Sequence, residues 1–144
     1  CYPIYENFML NNTRQNMDVI AIAIQNAKYF ENGKIIISHI TKQQAEKNNV
    51  TQDNYTGIIN RLSTINGARL VGFIYPKQGE YYVSMRGRAG YDVGSIAKEN
   101  GGGGHTGAAA FMSSMTIPQI ENLLLEKFNQ ALNQGKDQEK NLFY

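Results

Sequence analysis

The sequence has 144 residues, of which 42% are hydrophobic and 18% charged, and its formal net charge is +2. These values fit one globular domain, and the chain is long enough to bury a core without disulfides, which excludes a small disulfide-stapled protein. The 14 Lys and Arg residues are spread along the chain, so we expect no sequence-independent binding of duplex nucleic acid through a basic stripe.

The predicted elements alternate between helices and strands. In chain order they are a helix from Pro3 to about Ala27, strands over Lys28–Glu31 and Lys34–Ser38, a helix from Thr41 to about Asn48, a helix over Ile58–Ile65, strands over Arg69–Tyr75 and Glu80–Arg86, a helix over Val93–Asn100, a strand over Ala108–Met112, and a final helix with an apolar stripe from Ile120 to Leu132. We expect a domain over residues 1–134 and a polar, fraying tail over residues 135–144.

Turn and cap residues support these boundaries. Asn32-Gly33 and the segment Pro76–Gly79 have turn chemistry, so each is expected to join two antiparallel strands. Three helix starts carry capping residues, which are Thr41, Asp92 and Thr116. The sequence therefore predicts two hairpins and three capped helices.

Cysteine and apolar patterns bear on the cellular location. Cys1 is the only cysteine, which excludes an internal disulfide and a cysteine-based metal site. No signal-peptide pattern is found, and the longest apolar run, Val19 to Ile24, is far too short to span a bilayer. We expect a reducing, cytoplasmic location and no membrane partner. An alternative left open makes Cys1 the lipidated first residue of a mature bacterial lipoprotein.

Glycine is the one strongly uneven residue, because 8 of the 14 glycines lie between Gly87 and Gly107. Gly101 is interpreted as the C-cap of the helix before it. The following Gly102–Gly104 exceed what a cap requires, and successive N–H groups without Cβ atoms can converge on an anion such as phosphate. A flexible linker is the alternative, but the run continues into the apolar segment Ala108–Met112, which favours burial.

Two known glycine motifs do not fit this run. Gly102, Gly104 and Gly107 match the spacing G-x-G-x-x-G, but the run leaves a predicted helix rather than a strand. The position about 20 residues further on is Lys127, where dinucleotide-binding folds need an acidic residue. No lysine follows Gly107, so the phosphate-loop motif of ATPases is also excluded.

Three charged side chains are candidates for binding beside the glycines. His105 follows the run directly and is interpreted as a donor to a phosphate or ribose oxygen. Arg86 and Arg88 end a predicted strand, and their spacing by two places them on the same strand face. A guanidinium group matches phosphate geometry with two parallel hydrogen bonds. The alternative for both arginines is a solvated strand edge.

Other residues are interpreted as structural. Tyr81, Tyr82 and Tyr91 are able to stack a base, but tyrosines in strands usually pack. His39 ends an apolar strand and is expected to be structural. The two histidines have no acidic cluster beside them, and no Ser-His-Asp arrangement is found. We therefore expect a segment that binds a phosphorylated ligand, with no catalytic residue, metal site or cofactor of its own.

Three segments together resemble a known family: Val83–Arg88, Tyr91–Ala97 and Gly102–Phe111. They resemble the DHH-associated C-terminal domain of DHH-family phosphoesterases, particularly the nanoRNase and phosphoadenosine-phosphate phosphatase branch that includes MgpA-like proteins. The family signature is Gly-Gly-Gly-His, two variable residues and Ala-Ala-Gly. This chain has Ala110 in place of the last glycine, and Gly87 in place of a commonly seen serine.

The resemblance implies an α/β fold, a single domain with a mixed sheet of about five strands flanked by helices. It implies that this domain holds the terminal nucleotide of a short RNA or of phosphoadenosine phosphate. A separate N-terminal Asp-His-His domain, which this sequence does not contain, would hold divalent metal, usually manganese, and cleave the substrate. The candidate substrate-binding residues are Arg86, Arg88, Gly102, Gly103, Gly104 and His105.

The implied partners are a short RNA or nucleotide phosphate and that catalytic domain, and a homodimer is left open. The alternative function is an RNA-binding module without hydrolase context, because a related domain occurs at the end of alanyl-tRNA synthetases.

Overall fold

The computed structural model describes residues 17–88 and 90–143, with side chains up to residue 134. Its elements in chain order are α1 (residues 17–26), β1 (Lys28–Phe30), β2 (Ile35–His39), α2 (Lys42–Lys47), α3 (Gln52–Ser63), β3 (Leu70–Lys77), β4 (Glu80–Gly87), α4 (Gly94–Glu99), β5 (Gly103–Gly104), β6 (Ala108–Ser113) and α5 (Ile117–Phe143). The part of the first predicted helix before residue 17, and the interpretation of Cys1, lie outside the described residues.

The strands form one mixed sheet in the order β1-β2-β3-β4-β6-β5. Only β2 and β3 pair in parallel, and the other neighbours are antiparallel. The predicted α/β class with a mixed sheet is confirmed. The sixth strand is the short β5, formed by two residues of the glycine run, which the sequence analysis interpreted as a loop.

Each face of the sheet packs against its own layer of helices. On one face, apolar residues of α4 and α5 join strand residues in a buried cluster that includes Leu70, Met85, Phe111, Leu124 and Phe128. On the other face, α1 and α3 join the alternate strand residues in a second cluster that includes Val19, Ile36, Ile58, Leu62 and Phe73. Because strand side chains alternate between faces, one strand sequence supplies both clusters.

Helices α3 and α5 cover the sheet unequally. Gly72 of β3 lies so close to α5 that a Cβ atom there would be 2.8 Å from Leu124 Cδ1. On the opposite face, α3 packs mainly on β3. It leaves an open hollow above β4, β5 and β6. The fold therefore exposes polar residues of β4 beside α3.

Both predicted hairpins form, but their turns differ from the expectation. The first has a four-residue loop, because Glu31, Asn32 and Gly33 all have positive φ and pairing begins at Phe30 with Ile35. In the second, Gln78 and Gly79 alone form the turn.

The predicted turn position of Pro76 is wrong. Pro76 lies within β3 and pairs with Tyr81. Since β2 pairs with β3 only as far as Ile74, no β2 residue lies opposite Pro76, and its missing N–H interrupts no ladder on that side. The chain therefore accommodates a proline two residues before the turn.

Helix boundaries follow their caps. The reciprocal caps of Thr41 with Gln44 and of Thr116 with Gln119 are confirmed. Helix α3 begins at Gln52, six residues before the predicted start, because the Thr51 N–H donates to Asn54 Oδ1 at 2.8 Å. Helix α5 continues to Phe143, past the predicted end of its regular part near Gln134.

Candidate functional site

An open cavity of about 290 Å³ lies on the α3 face of the sheet. Its floor comes from alternate residues of β4 and from β5 and β6, and its wall comes from α3 and β3. The lining residues are Gln52, Tyr55, Thr56, Ile59, Tyr75, Tyr82, Ser84, Arg86, Gly103, Gly104, Ala108, Ala109 and Ala110. The alanines of β6 have small side chains, so they leave open space beside the larger residues of β4.

Arg86 brings a positive charge into this cavity. Its side chain reaches the face shared with Tyr82 and Ser84, because residues two apart on a strand point the same way. One terminal nitrogen, Nη1, donates to the Met85 carbonyl at 3.0 Å. Within residues 17–88 and 90–134, no carboxylate forms an ion pair with Arg86. A half-buried guanidinium without a carboxylate partner favours an anionic ligand.

Helix α4 is terminated by the first two residues of the glycine run. The Gly101 N–H donates to the Lys98 carbonyl, and the Gly102 N–H donates to the Ala97 carbonyl at 2.8 Å. Gly101 also has φ +83°. This pair of hydrogen bonds is the Schellman motif, so the predicted C-cap at Gly101 is confirmed. The Gly102 amide is used within the fold, and Gly102 is not among the cavity-lining residues.

The next two glycines form an edge strand against β6. His105 and Ala108 exchange both backbone hydrogen bonds at the end of this hairpin, with the His105 N–H donating at 2.8 Å. In an antiparallel ladder the neighbouring pair, Gly104 with Ala109, is then not hydrogen-bonded, and the Gly104 N–H points away from β6. The expected convergence of successive N–H groups is therefore wrong for Gly103–Gly104, since amides along a strand alternate in direction.

The structure brings three of the six candidate residues together in one cavity. Arg86, Gly103 and Gly104 line the same cavity. His105 lies in a smaller, separate cavity of about 270 Å³, which includes Asp92, Lys98 and Gly104.

Arg88 lies outside both cavities. It is exposed beyond the end of β4, where its N–H donates to the Arg69 carbonyl. Binding roles for all six candidate residues stay predictions.

Gly87 has a steric role at the end of β4. Its N–H donates to the Gly107 carbonyl at 2.9 Å. A Cβ atom at this position would lie 2.2 Å from the Tyr91 carbonyl oxygen. The serine commonly seen here in the resembling family would therefore require the backbone around Tyr91 to move.

The sequence analysis missed Tyr55 and Tyr75 in the aromatic wall of the cavity, and it interpreted Tyr82, which also lines the cavity, as a packing residue. Tyr55 of α3 stacks on Tyr75 of β3 with ring centroids 3.9 Å apart, and Tyr82 lies 5.1 Å from Tyr75. Burial raises the pKa of Tyr55 to about 12 and also raises the pKa of Tyr75. Both phenols therefore stay protonated at neutral pH and keep an O–H donor.

Polar residues next to this wall were also missed. The Gln52 side-chain amide donates to the Tyr75 hydroxyl at 2.9 Å. Ser84 is buried but lines the cavity floor between Tyr82 and Arg86. A serine inside an otherwise apolar strand, two residues before an arginine, was the available sequence signal for this floor.

The remaining candidates follow the expectation that they are structural. Tyr91 is buried, and Tyr81 packs against the cluster on the α5 face. His39 lies at the end of β2, outside the cavity, with its Nδ1 3.3 Å from Glu121 Oε1. The two atoms are not aligned for a hydrogen bond. Burial lowers the pKa of His39, and this effect outweighs the opposing attraction to Glu121.

Two kinds of feature are not found in the part of the chain that the structure describes. No group of three or more His, Cys, Asp or Glu side chains there is arranged to hold a metal ion. No helix among those residues combines the length and apolar character needed to cross a membrane.

The sequence profile of the DHHA1 domain matches residues 32–134. The chain therefore belongs to the DHHA1 domain family, and the resemblance to a DHH-associated C-terminal domain is confirmed. The match covers the second strand through most of α5, which includes every residue that lines the cavity.

Two solved structures are similar in fold. One is an exopolyphosphatase-related protein from Bacteroides fragilis, with a TM-score of 0.73 and 20% identity over 88% of this chain and 36% of that one. The other is the pGpG-specific phosphodiesterase PggH from Vibrio cholerae, with a TM-score of 0.58 and 12% identity over 84% of this chain and 40% of that one. This chain thus spans less than half the length of either. No curated protein sequence gives a significant match.

Proposed function

We propose that this chain is the substrate-binding domain of a metal-dependent DHH-family phosphoesterase and holds the terminal nucleotide of a short oligoribonucleotide or of phosphoadenosine phosphate. Membership of the DHHA1 family supports this context. The divalent metal, expected to be manganese, would be held by a separate catalytic domain, since the described residues offer no cluster for it.

One observation carries this proposal: Arg86 has no carboxylate partner among the described residues and shares an open cavity with the backbone of Gly103 and Gly104. The phosphate lies at Arg86, where the guanidinium donates two hydrogen bonds to its oxygens. The absence of side chains on the two glycines lets the ligand approach the main chain closely. The cavity volume of about 290 Å³ fits one nucleotide-sized group rather than a long polymer.

The residues of this chain contribute binding and orientation. Arg86 fixes the phosphate, and Tyr82 and Ser84 continue the floor toward α3, where Gln52 and Thr56 present polar groups to the sugar or base. Holding the terminal nucleotide in one register turns the cleavage step into an effectively intramolecular one.

The test is titration calorimetry of the chain with a 5′-phosphorylated diribonucleotide. Arg86→Ala is expected to weaken binding about tenfold or more, because a charge-assisted hydrogen bond in a partly buried site contributes roughly 1.5–3 kcal/mol. Arg86→Lys keeps the charge but loses the planar fork, so its affinity is expected between the two. Arg61→Ala is the matched control, since Arg61 is exposed on α3 outside the cavity and its loss removes the same charge.

Equal loss of affinity in Arg61→Ala and Arg86→Ala would show that only net charge matters and would refute the site. Equal binding of the diribonucleotide with and without its 5′-phosphate would refute the phosphate contact. Arg88→Ala and His105→Ala, measured with the same ligand, decide whether those two predicted residues belong to the site.

A further inference from the structure

A second open cavity, of about 490 Å³, adjoins the first one at Tyr55. It lies between α2 and the turn that joins β3 to β4. Its charged lining residues are Lys42, Lys77 and Glu46. The two cavities therefore share one wall, and the second one extends past the edge of β3 toward Tyr81, which packs on the α5 face.

The two lysines of this second cavity are positioned by aromatic rings. Lys77 Nζ lies 4.8 Å from the ring centroid of Tyr82, which also lines the first cavity. Lys42 Nζ lies 5.5 Å from the ring centroid of Tyr81. Neither ammonium group forms an ion pair with a carboxylate of residues 17–88 or 90–134. Two cations against the single carboxylate of Glu46 leave this cavity with a positive balance, which favours an anion.

The register of the hairpin gives the separation between the two positive sites. Arg86 pairs with Val71, and Lys77 lies six residues further along β3. The Lys77 ammonium group turns back to the Tyr82 ring, and Tyr82 is four residues from Arg86, so at about 3.3 Å per residue the second positive charge lies about 13 Å from the level of Arg86. A single phosphate group is too small to reach both sites. A strand with several phosphates fits, because stacked phosphates are about 3.4 Å apart along one strand, and about four such steps, or five phosphates, cover this distance.

We propose that the second cavity binds a further phosphate of the same oligoribonucleotide whose terminal nucleotide occupies the first cavity, through Lys42 and Lys77. This inference rests on the proposed function and adds a substrate class: the chain binds an oligonucleotide long enough to reach the second cavity more tightly than a dinucleotide. The strand runs from Arg86 past Tyr82 to the Lys77 ammonium group that lies over the Tyr82 ring.

The experiment compares a 5′-phosphorylated hexaribonucleotide with the matching diribonucleotide by fluorescence anisotropy competition, at about 50 and 200 mM salt. The double variant Lys42→Ala/Lys77→Ala is expected to lose the extra affinity for the hexamer and to leave dimer binding unchanged. Two lost phosphate contacts lower the single-strand salt slope by about 1.4, so the parent's affinity for the hexamer falls about sevenfold more than the variant's over this fourfold salt change. The control Lys47→Ala/Arg61→Ala removes two exposed charges outside both cavities.

The outcomes separate this inference from the proposed function. If the parent chain binds the hexaribonucleotide and the diribonucleotide equally well, the second phosphate site is refuted while the Arg86 site stands. The same holds if the double variant and its control bind the hexaribonucleotide with the same affinity. If Arg88→Ala, at the opposite end of β4, removes the preference for the hexamer instead, the strand runs the other way and the inference is also refuted. A parent chain that binds neither ligand refutes both.

Discussion

Replacing Gly102 with alanine is expected to destabilise the domain, while the same change at Gly103 is not. A Cβ atom at Gly102 would lie 2.1 Å from the Ala110 carbonyl oxygen and 2.6 Å from the Phe111 Cβ. At Gly103, no atom outside the neighbouring residues lies within 4 Å of the added methyl. Adjacent residues of identical chemistry therefore differ only in what β6 places beside them.

The size of each effect follows from these contacts. Overpacking of a well-packed region typically costs 1–3 kcal/mol, and we expect about 3 kcal/mol for Gly102→Ala because the clash involves the backbone of β6, which has no alternative rotamer. For Gly103→Ala we expect no loss of stability. A gain of about 0.5 kcal/mol in the free energy of unfolding is expected, because alanine reduces the conformational freedom of the unfolded chain. The Gly103 methyl lies at the lining of the first cavity, so it is expected to weaken nucleotide binding.

Urea unfolding followed by circular dichroism measures the free energy of unfolding of both variants, and thermal unfolding gives a second measure. At about 150 residues, 3 kcal/mol corresponds to a drop of roughly 6–12 °C in Tm. Calorimetry with the phosphorylated diribonucleotide then tests whether Gly103→Ala is stable but impaired in binding. Equal unfolding free energies for Gly102→Ala and Gly103→Ala would refute the view that Gly102 packs tightly against β6.

Two further predictions concern stability. Because burial holds the pKa of His39 below 6.5, the folded chain disfavours the protonated imidazole, and the free energy of unfolding is expected to fall as the pH drops below about 6.5. Urea unfolding at about pH 7.5 and 5.5 measures this fall, and His39→Gln is expected to remove it. An unchanged pH profile in His39→Gln would contradict the prediction. Gly72→Ala is expected to destabilise the chain through its 2.8 Å approach to Leu124 Cδ1, and to cost less when Leu124→Ala has removed that atom. A double-mutant cycle without such coupling would show that α5 shifts to accept the methyl.

Much of the fold was predictable because its signals are local. Thr41 with Gln44 caps one helix through residues three apart, and Asn32-Gly33 marks a hairpin through neighbours. The errors arose where the deciding contact is distant: Pro76 is accepted within β3 because β2 has already ended, and a sequence pattern does not report this.

The candidate site was predictable only in part for the same reason. Arg86 and Gly103 were found from residue chemistry, and they meet because β6 pairs with both β4 and β5. Gln52 and Tyr55 come from a helix about 30 residues earlier in the chain and reach the cavity only through the packing of α3. The glycine run has two uses, a helix end and an edge strand, and composition alone does not divide it between them.

The first cavity is built from a sheet floor and a helix rim, and mutations in these two parts differ in their effect on stability. Its floor consists of paired strands whose alternate residues form the core, so mutations there carry a stability penalty. Its opposite rim includes Gln52 and Thr56, which face solvent on α3 and lie one helical turn apart. Neither side chain belongs to a buried cluster of the described residues, and Gln52 contacts a cluster residue through its hydrogen bond to the Tyr75 hydroxyl. Ligand preference at the proposed site is therefore able to change between related sequences while the proposed phosphate contact at Arg86 is kept.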